Sequence, residues 1–282
     1  MEASAKVICD SIAHGSRLIT FEIELHRFIL PEFNTHRTFS RNFQSSRALP
    51  LARQREMVIA DPALPVFWGS NKAGMVAGAE LGGEDLRQAK SIWMDALNYM
   101  AECHEKLEKL GLHKQLTNRL LEPWMATKGV VTATESAFKA FYKLRCAPDA
   151  QPEIKALADA MHAAMEASQP RGLDEGEWHL PYVDLDTFEG TIEEALKVST
   201  SCTGQVSYRN LDDSLDKALR VYGMLNLDGK DGNPHASPCE HQAEVSTESF
   251  DHWDEYSDVI DDSKISGNLE FPWYQHRKVL GV

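Results

Sequence analysis

Between residues 26 and 55 the chain has no lysine and a single acid, Glu32, yet it carries six arginines there. The whole chain is acidic, with net charge −14, so this window is not a generic solubility device. Arginine without lysine suits planar, bidentate binding of phosphate or carboxylate. Other absences narrow the field. No run of about 18 apolar residues exists, which excludes a spanning helix. Residues 1–5 carry no basic-then-apolar leader. The five cysteines (Cys9, Cys103, Cys146, Cys202 and Cys239) are widely spaced and form no CxxC pair, against a disulfide framework or structural zinc. A reduced, cytoplasmic protein is the expected setting. No GxGxxG or GxxxxGK[ST] occurs, against a Rossmann or Walker loop. No basic domain is present, against nucleic acid as a partner. There is no internal repeat.

What is present reads as a mixed α+β chain, with 43% hydrophobic residues to fill a core. Residues 6–10 form a short strand. Residues 18–25 form a clearer one, with Phe21, Ile23 and Leu25 on one face and Glu22 and Glu24 on the other. Phe28, Ile29 and Phe33 keep a helical period, with Pro31 near its start. Helices are expected at 51–59, 84–110, 114–121, 132–144, 150–167 and 191–199. The stripe Trp93, Leu97, Met100, Cys103, Leu107, Leu110 marks the longest as amphipathic. Glycine-rich 69–83 is expected to be a mobile loop, 169–186 a linker, and acidic 244–262 an exposed loop.

The organising stretch is Thr35-His36-Arg37-Thr38-Phe39-Ser40-Arg41-Asn42-Phe43-Gln44-Ser45-Ser46-Arg47, predicted to lie on an ordered loop. Its serines can close around phosphate oxygens. It resembles the R-H-R-x7-S signature of the flavin-dependent thymidylate synthases, the ThyX family, with Thr35 replacing the first arginine. Phe21-Glu22-Ile23 resembles the family's F-E-I strand. Residues 111–123, with Asn118-Arg119, resemble a segment ending in A-R-x-x-L-P. Residues 141–154, with Leu144-Arg145, resemble F-x-x-L-R……A-Q-x-E-I. Val206-Ser207-Tyr208 and the run from His235 to His241 (H-A-S-P-C-E-H) resemble two elements that precede the signature in most of the family. Here they come last, so the chain looks circularly permuted, which near-lying termini permit. Three positions depart: Thr35, Gly204-Gln205 in place of A-R, and Thr134-Glu135-Ser136 in place of N-x-R.

The resemblance implies a ThyX-like sheet flanked by long helices. It implies one catalytic domain over 1–282: a signature-bearing core at 1–168, a linker at 169–190 and a permuted flavin- and folate-side segment at 191–282. Its substrate is a nucleoside monophosphate, bound by Glu32, Gln44, Ser45, Ser46, Arg47, Arg119 and Arg145, with Arg145 also catalytic against the pyrimidine ring. His36, Arg37, His235, Ser237 and Glu240 would meet the flavin or folate. FAD, NADPH and methylene-tetrahydrofolate are the implied cofactors, and a homotetramer with shared active sites the implied assembly. The implied reaction is reductive methylation of dUMP at C5. Two alternatives stay open. One is a C5 methyl- or hydroxymethyltransferase acting on dCMP or dUMP. Glu32 motivates it, because a carboxylate accepts from an amino group better than from a carbonyl. The other is a non-catalytic nucleotide-binding relative. No membrane or metal is expected. Pro238 breaks the helix that the histidines and glutamate of 235–241 would need as ligands, and Cys239 is expected to be a buried or neutral thiol rather than a nucleophile.

Overall fold

The computed structural model describes residues 3–207, 211–227, 233–246 and 268–281. β1 (Ser4–Ala13) and β2 (Ser16–His26) form an antiparallel hairpin. Its two turn residues, His14 and Gly15, have positive φ of 47° and 77°, the backbone twist that a two-residue hairpin favours. On β2, Phe21, Ile23 and Leu25 are buried, and Glu22 and Glu24 lie half-buried opposite. A bulge between Val7 and Cys9 shifts the register of β1. It therefore moves Cys9 and Ser11 to the face opposite Val7.

The sheet runs β3-β4-β2-β1-β5, with β3 (Ser40–Phe43), β4 (Ala126–Thr134) and β5 (Arg171–Gly172). All neighbours are antiparallel except β1 and β5. Two of these strands correct the sequence reading. The signature is not all loop, because its middle is β3. The helix expected from 132 begins only at α5 (Glu135–Arg145); before it, β4 is an interior strand between β3 and β2. Val130, Val131, Thr132 and Ala133 are all buried, so β4 has no in–out alternation to read.

α5 and α6 (Pro152–Ala167) cover one face of the sheet. The core there joins Phe21, Phe33, Phe39, Val131, Phe138 and Met161, and its buried members all fall between residues 19 and 165. The other face meets a second, three-stranded sheet of β6 (Trp178–His179), β7 (Ala243–Val245) and β8 (Trp273–Gln275). Trp273 is fully buried in that layer beside Leu18 and Val245. The expected linker 169–186 thus supplies two strands. The expected acidic loop begins as strand β7, and residues 247–262 lie outside the described ones. α7 (Ile192–Gly204) runs beyond the expected 199 and packs on α8 (Leu215–Met224), while α9 (His276–Leu280) follows β8.

Before α5 come α1 (Leu30–Phe33), α2 (Leu51–Ala60), α3 (Gly83–Lys109) and α4 (Lys114–Thr117), the last continuing as a 3-10 helix over Asn118–Trp124. Leu97, Ala101 and His104 form the buried line of α3. Leu110, read as part of the apolar stripe, is instead 81% exposed. The 69–83 loop is tied across by Ser70 N to Ala79 O and Leu81 N to Trp68 O, at 2.8 and 2.9 Å. Among the described residues no helix is long and apolar enough to cross a membrane.

Candidate functional site

Strand β3 leads from one cluster to another. At the first, Arg145 closes α5 and donates from Nε to His36 Nε2 at 3.0 Å. A guanidinium can only donate, so His36 is neutral with its proton on Nδ1. Burial, then Arg145 and Arg41, push the His36 pKa down to about 4. The ring is held by aromatic neighbours: stacked on Phe39 at 5.7 Å and edge-on to Phe141 at 4.8 Å. Arg41 Nη1 donates to the His36 and Asn34 carbonyls at 2.7 and 2.9 Å. Arg37 is exposed beside them. Thr35 turns its hydroxyl back to Glu32 O at 2.7 Å. The Glu32 side chain itself is exposed, and among the described residues it has no contact that bears on the reading that it selects an amino group.

The last third of the chain reaches the same strand. A 3-10 turn over Ser237–Glu240 packs on β3. Ser237 Oγ donates to Asn42 Oδ1 at 3.4 Å, and Asn42 Nδ2 donates to Thr203 O in α7 at 2.7 Å. Glu240 pairs with Arg277, and its carbonyl accepts from Gln275 Nε2 at 2.9 Å. Burial lowers the Arg41 pKa and the Glu240 charge opposes this. His235 is exposed, held by its backbone N–H to Leu225 O at 2.9 Å. Beneath this turn a buried polar chain crosses the sheet. His241 Nδ1, Thr132 Oγ1, Thr20 Oγ1 and His179 Nε2 are linked at 2.8, 2.7 and 2.8 Å, and His179 Nδ1 lies 2.9 Å from Ser11 Oγ. His179, fully buried on β6, is thus a packed histidine. Cys239 is buried and its pKa is pushed up to about 12 by that burial, so it is a thiol and a poor nucleophile.

At the other end of β3, residues 44–48 make a turn closed by Ala48 N to Ser45 O at 3.0 Å. The Gln44 carbonyl accepts from Arg27 Nη1 at 2.8 Å and Thr127 Oγ1 at 3.1 Å. Ser45 is half-buried and its hydroxyl accepts from Arg47 N at 3.4 Å. Ser46 is only 2% exposed, whereas the Arg47 side chain is open. Arg119 and Arg27 bracket Glu122, each 3.5 Å from its Oε1. A cleft of about 530 Å³ adjoins this end, lined among others by Gln44, Arg53, Trp124, Lys128 and Val206. Val206 belongs to the V-S-Y element, whose Tyr208 lies outside the described residues.

The departures have local uses. Thr134 Oγ1 lies 2.9 Å from Ser136 Oγ, which donates to Glu270 at 3.1 Å. Buried Gln205 binds Ser201 Oγ and the Asp212 backbone. The structure also brings forward Arg27, Arg41, Asn42 and Asn118, which the sequence did not single out. Arg27 and Arg41 were legible only as members of the lysine-free arginine window. Asn42 and Asn118 carried no signal beyond their places inside two motif segments.

An α+β sheet with an arginine–histidine pair at one end of a strand and a serine–arginine turn at the other offers donors to a flat, anionic ligand. The family is closer at hand. The model of the thymidylate synthase complementing protein family, Thy1, matches residues 15–171, more than half of the 282, and the chain belongs to that family. No curated protein matches it. Among solved structures, the chain is similar to a UMP/dUMP methylase, PolB from Streptomyces cacaoi, bound with 5-Br dUMP, at 20% identity and a TM-score of 0.43. That similarity covers 53% of this chain and 66% of that one, just under two thirds. A second PolB structure, bound with 5-Br UMP, is similar at 17% identity and a TM-score of 0.46, over 58% of this chain and 88% of that one.

Proposed function

We propose that this chain is a pyrimidine nucleotide C5-methyltransferase of the flavin-dependent thymidylate synthase type, with dUMP as acceptor. The observation that carries the reading is the Arg145–His36 contact. Two motif residues 109 positions apart meet at 3.0 Å, at the start of the strand that leads to the Ser45–Arg47 turn. Family membership agrees with it. The relatives named as UMP/dUMP methylases act on the same class of base.

The residues present suit a flavin. His36, packed on the Phe39 and Phe141 rings, keeps an Nδ1–H free of Arg145, and exposed Arg37 lies one residue on. An imidazole N–H and an exposed guanidinium are donors that suit the carbonyl-bearing edge of an isoalloxazine. His36 and Arg37 would hold that edge, with Ser237 and Glu240 brought to the same strand. His235 stands exposed nearby for the folate side. Reduced FAD, recharged by NADPH, would supply hydride, and methylene-tetrahydrofolate the carbon. The chain's own residues bind and orient. Arg47 and Arg119 take the 5′-phosphate with Ser45 and Ser46. Arg145, oriented through Nε by His36, stabilises negative charge developing on the pyrimidine. The whole of 1–282 acts as one catalytic unit, and a homotetramer with shared sites would bring the two ends of β3 from neighbouring copies onto one substrate.

Absorbance spectroscopy tests the proposal. Purified protein is expected to show a flavin band that bleaches with NADPH, and to convert dUMP, but not dCMP, to a C5-methylated product with methylene-tetrahydrofolate. Product from dCMP alone would replace the acceptor. Protein that takes up no FAD when it is supplied would reduce the chain to a nucleotide-binding relative.

A further inference from the structure

Four side chains converge beneath the turn that carries Arg47. Arg55 Nη1, on α2, donates to Glu108 Oε2 at 2.5 Å and lies 3.1 Å from His104 Nδ1, both on α3. His104 Nε2 is 3.0 Å from Asn118 Oδ1. Asn118 Nδ2 is 2.9 Å from Ser46 O and 3.1 Å from Leu49 O. His104 and Asn118 are fully buried.

The direction of every bond is forced. A guanidinium has no acceptor, so His104 Nδ1 accepts and its proton sits on Nε2. That proton goes to Asn118 Oδ1. The amide then has only its two N–H bonds left, one for each carbonyl of the turn. Lys114 Nζ takes a third carbonyl, Ala48 O, at 3.1 Å. In a planar trans peptide C=O and N–H point opposite ways. Pinning the carbonyls of Ser46 and Ala48 inward therefore aims the N–H groups of Arg47 and Leu49 away from the clamp. The Arg47 N–H reaches Ser45 Oγ at 3.4 Å, so the pinned turn fixes the Ser45 hydroxyl, whose own proton stays free to donate, in the same turn as the exposed Arg47 side chain.

We propose that His104 and Asn118 are positioning residues for phosphate binding by the 45–49 turn, acting through its backbone rather than touching the ligand. This rests on the nucleotide reading above. Asn118 stands where the resembled A-R-x-x-L-P segment has alanine, and alanine could make none of these bonds. The clamp is therefore a feature of this chain's own sequence.

The test uses the full chain and three variants: Asn118→Ala, His104→Phe and His104→Gln. Two quantities are read: the dissociation constants of dUMP and inorganic phosphate by calorimetry, and the rate of tryptic cleavage after Arg47 in the free protein. Asn118→Ala and His104→Phe are expected to weaken dUMP binding about tenfold and to speed cleavage at Arg47 by a similar factor. Gln at 104 has one acceptor for Arg55 and one donor for Asn118, so His104→Gln is expected to return both quantities to within about threefold of the parent. Where His104→Phe does not fold, the Asn118→Ala and His104→Gln pair carries the test. Unchanged dUMP affinity in Asn118→Ala, with or without a lower Tm, overturns the assignment alone. A parent protein that binds neither dUMP nor phosphate overturns the nucleotide reading, and this assignment with it.

Discussion

Arg145 and His36 set each other's state. The arginine orients through Nε, and its charge helps to hold the imidazole neutral. Arg145→Ala removes a donor and a cation from the same spot. We expect kcat/KM for dUMP to fall at least about a hundredfold, the usual scale for a group stabilising developing charge. We also expect the His36 pKa to rise from about 4 toward its ordinary value, because burial would remain but the nearest cation would be gone. An NMR titration of the His36 ring reads this directly, and an unmoved pKa would show that the arginine is not its electrostatic neighbour. At this scale the sequence was partly legible. His36, Arg145 and Arg119 stood out because their motif spacings matched. Asn42 did not, although it ties β3 to both α7 and the Ser237 turn, because an amide's partners are decided by which backbone atoms folding brings within 3 Å.

Two elements control where the signature lies. β4 is the strand on which β3 is laid, with Phe43 opposite Gly129. A Cβ added at Gly129 would come within 2.2 Å of the Phe43 ring. Gly129→Ala is therefore expected to cost about 1–3 kcal/mol, as overpacking does, and to weaken nucleotide binding along with it. Denaturant unfolding beside calorimetry checks both, and full stability would mean that Phe43 swings away freely. α7 is the second element. Thr191 and Glu194 form a reciprocal capping box at its start, and Thr203 O near its end anchors Asn42. Thr191→Ala should lower stability by about 1 kcal/mol while leaving the dUMP dissociation constant within about twofold, since the cap lies at the far end of the helix from Asn42. The amphipathic helices and the alternating β2 were readable because one side of each meets water. β4 was not: it is covered on both sides, so its Val- and Thr-rich run lacks the period that separates strand from buried helix. β5 and β6 were missed for another reason, being two residues long and existing only through their partners.

For the molecule as a whole, burial holds five of the described histidines well below their ordinary pKa. Burial keeps His26, His36 and His276 at about 4, and His179 and His241 at about 3. The unfolded chain protonates them near 6.5, so below that pH it binds more protons than the native state. The stability they allow is fully present above about pH 6.5 and is lost as pH falls toward 4. Each histidine removes up to about 1.4 kcal/mol per pH unit in that range. Thermal melts are expected to be flat from pH 7 to 8 and to drop sharply between 6.5 and 5, and a level Tm down to pH 5 would mean that these rings protonate in place. The mixed α+β architecture was legible from the order of periodic segments. The second sheet was not, because its strands come from residues 178–179, 243–245 and 273–275 and no local pattern links them.

The two faces of the main sheet differ in when they can be finished during synthesis. The buried members of the Phe21–Phe138 core all lie between residues 19 and 165, so that face can close once α6 has left the ribosome. The opposite face waits for His241, Val245 and Trp273. At about 5–20 residues per second the remaining hundred or so residues take several seconds to tens of seconds to appear. During that interval the centre of the open face presents Thr20, Thr132 and Ser40, hydroxyls that water can satisfy, rather than a bare aliphatic surface. A nascent chain stalled there is expected to remain soluble and protease-resistant through α6. The polar chain across the sheet thus lets the half-made protein wait for its own last third without sticking to its neighbours.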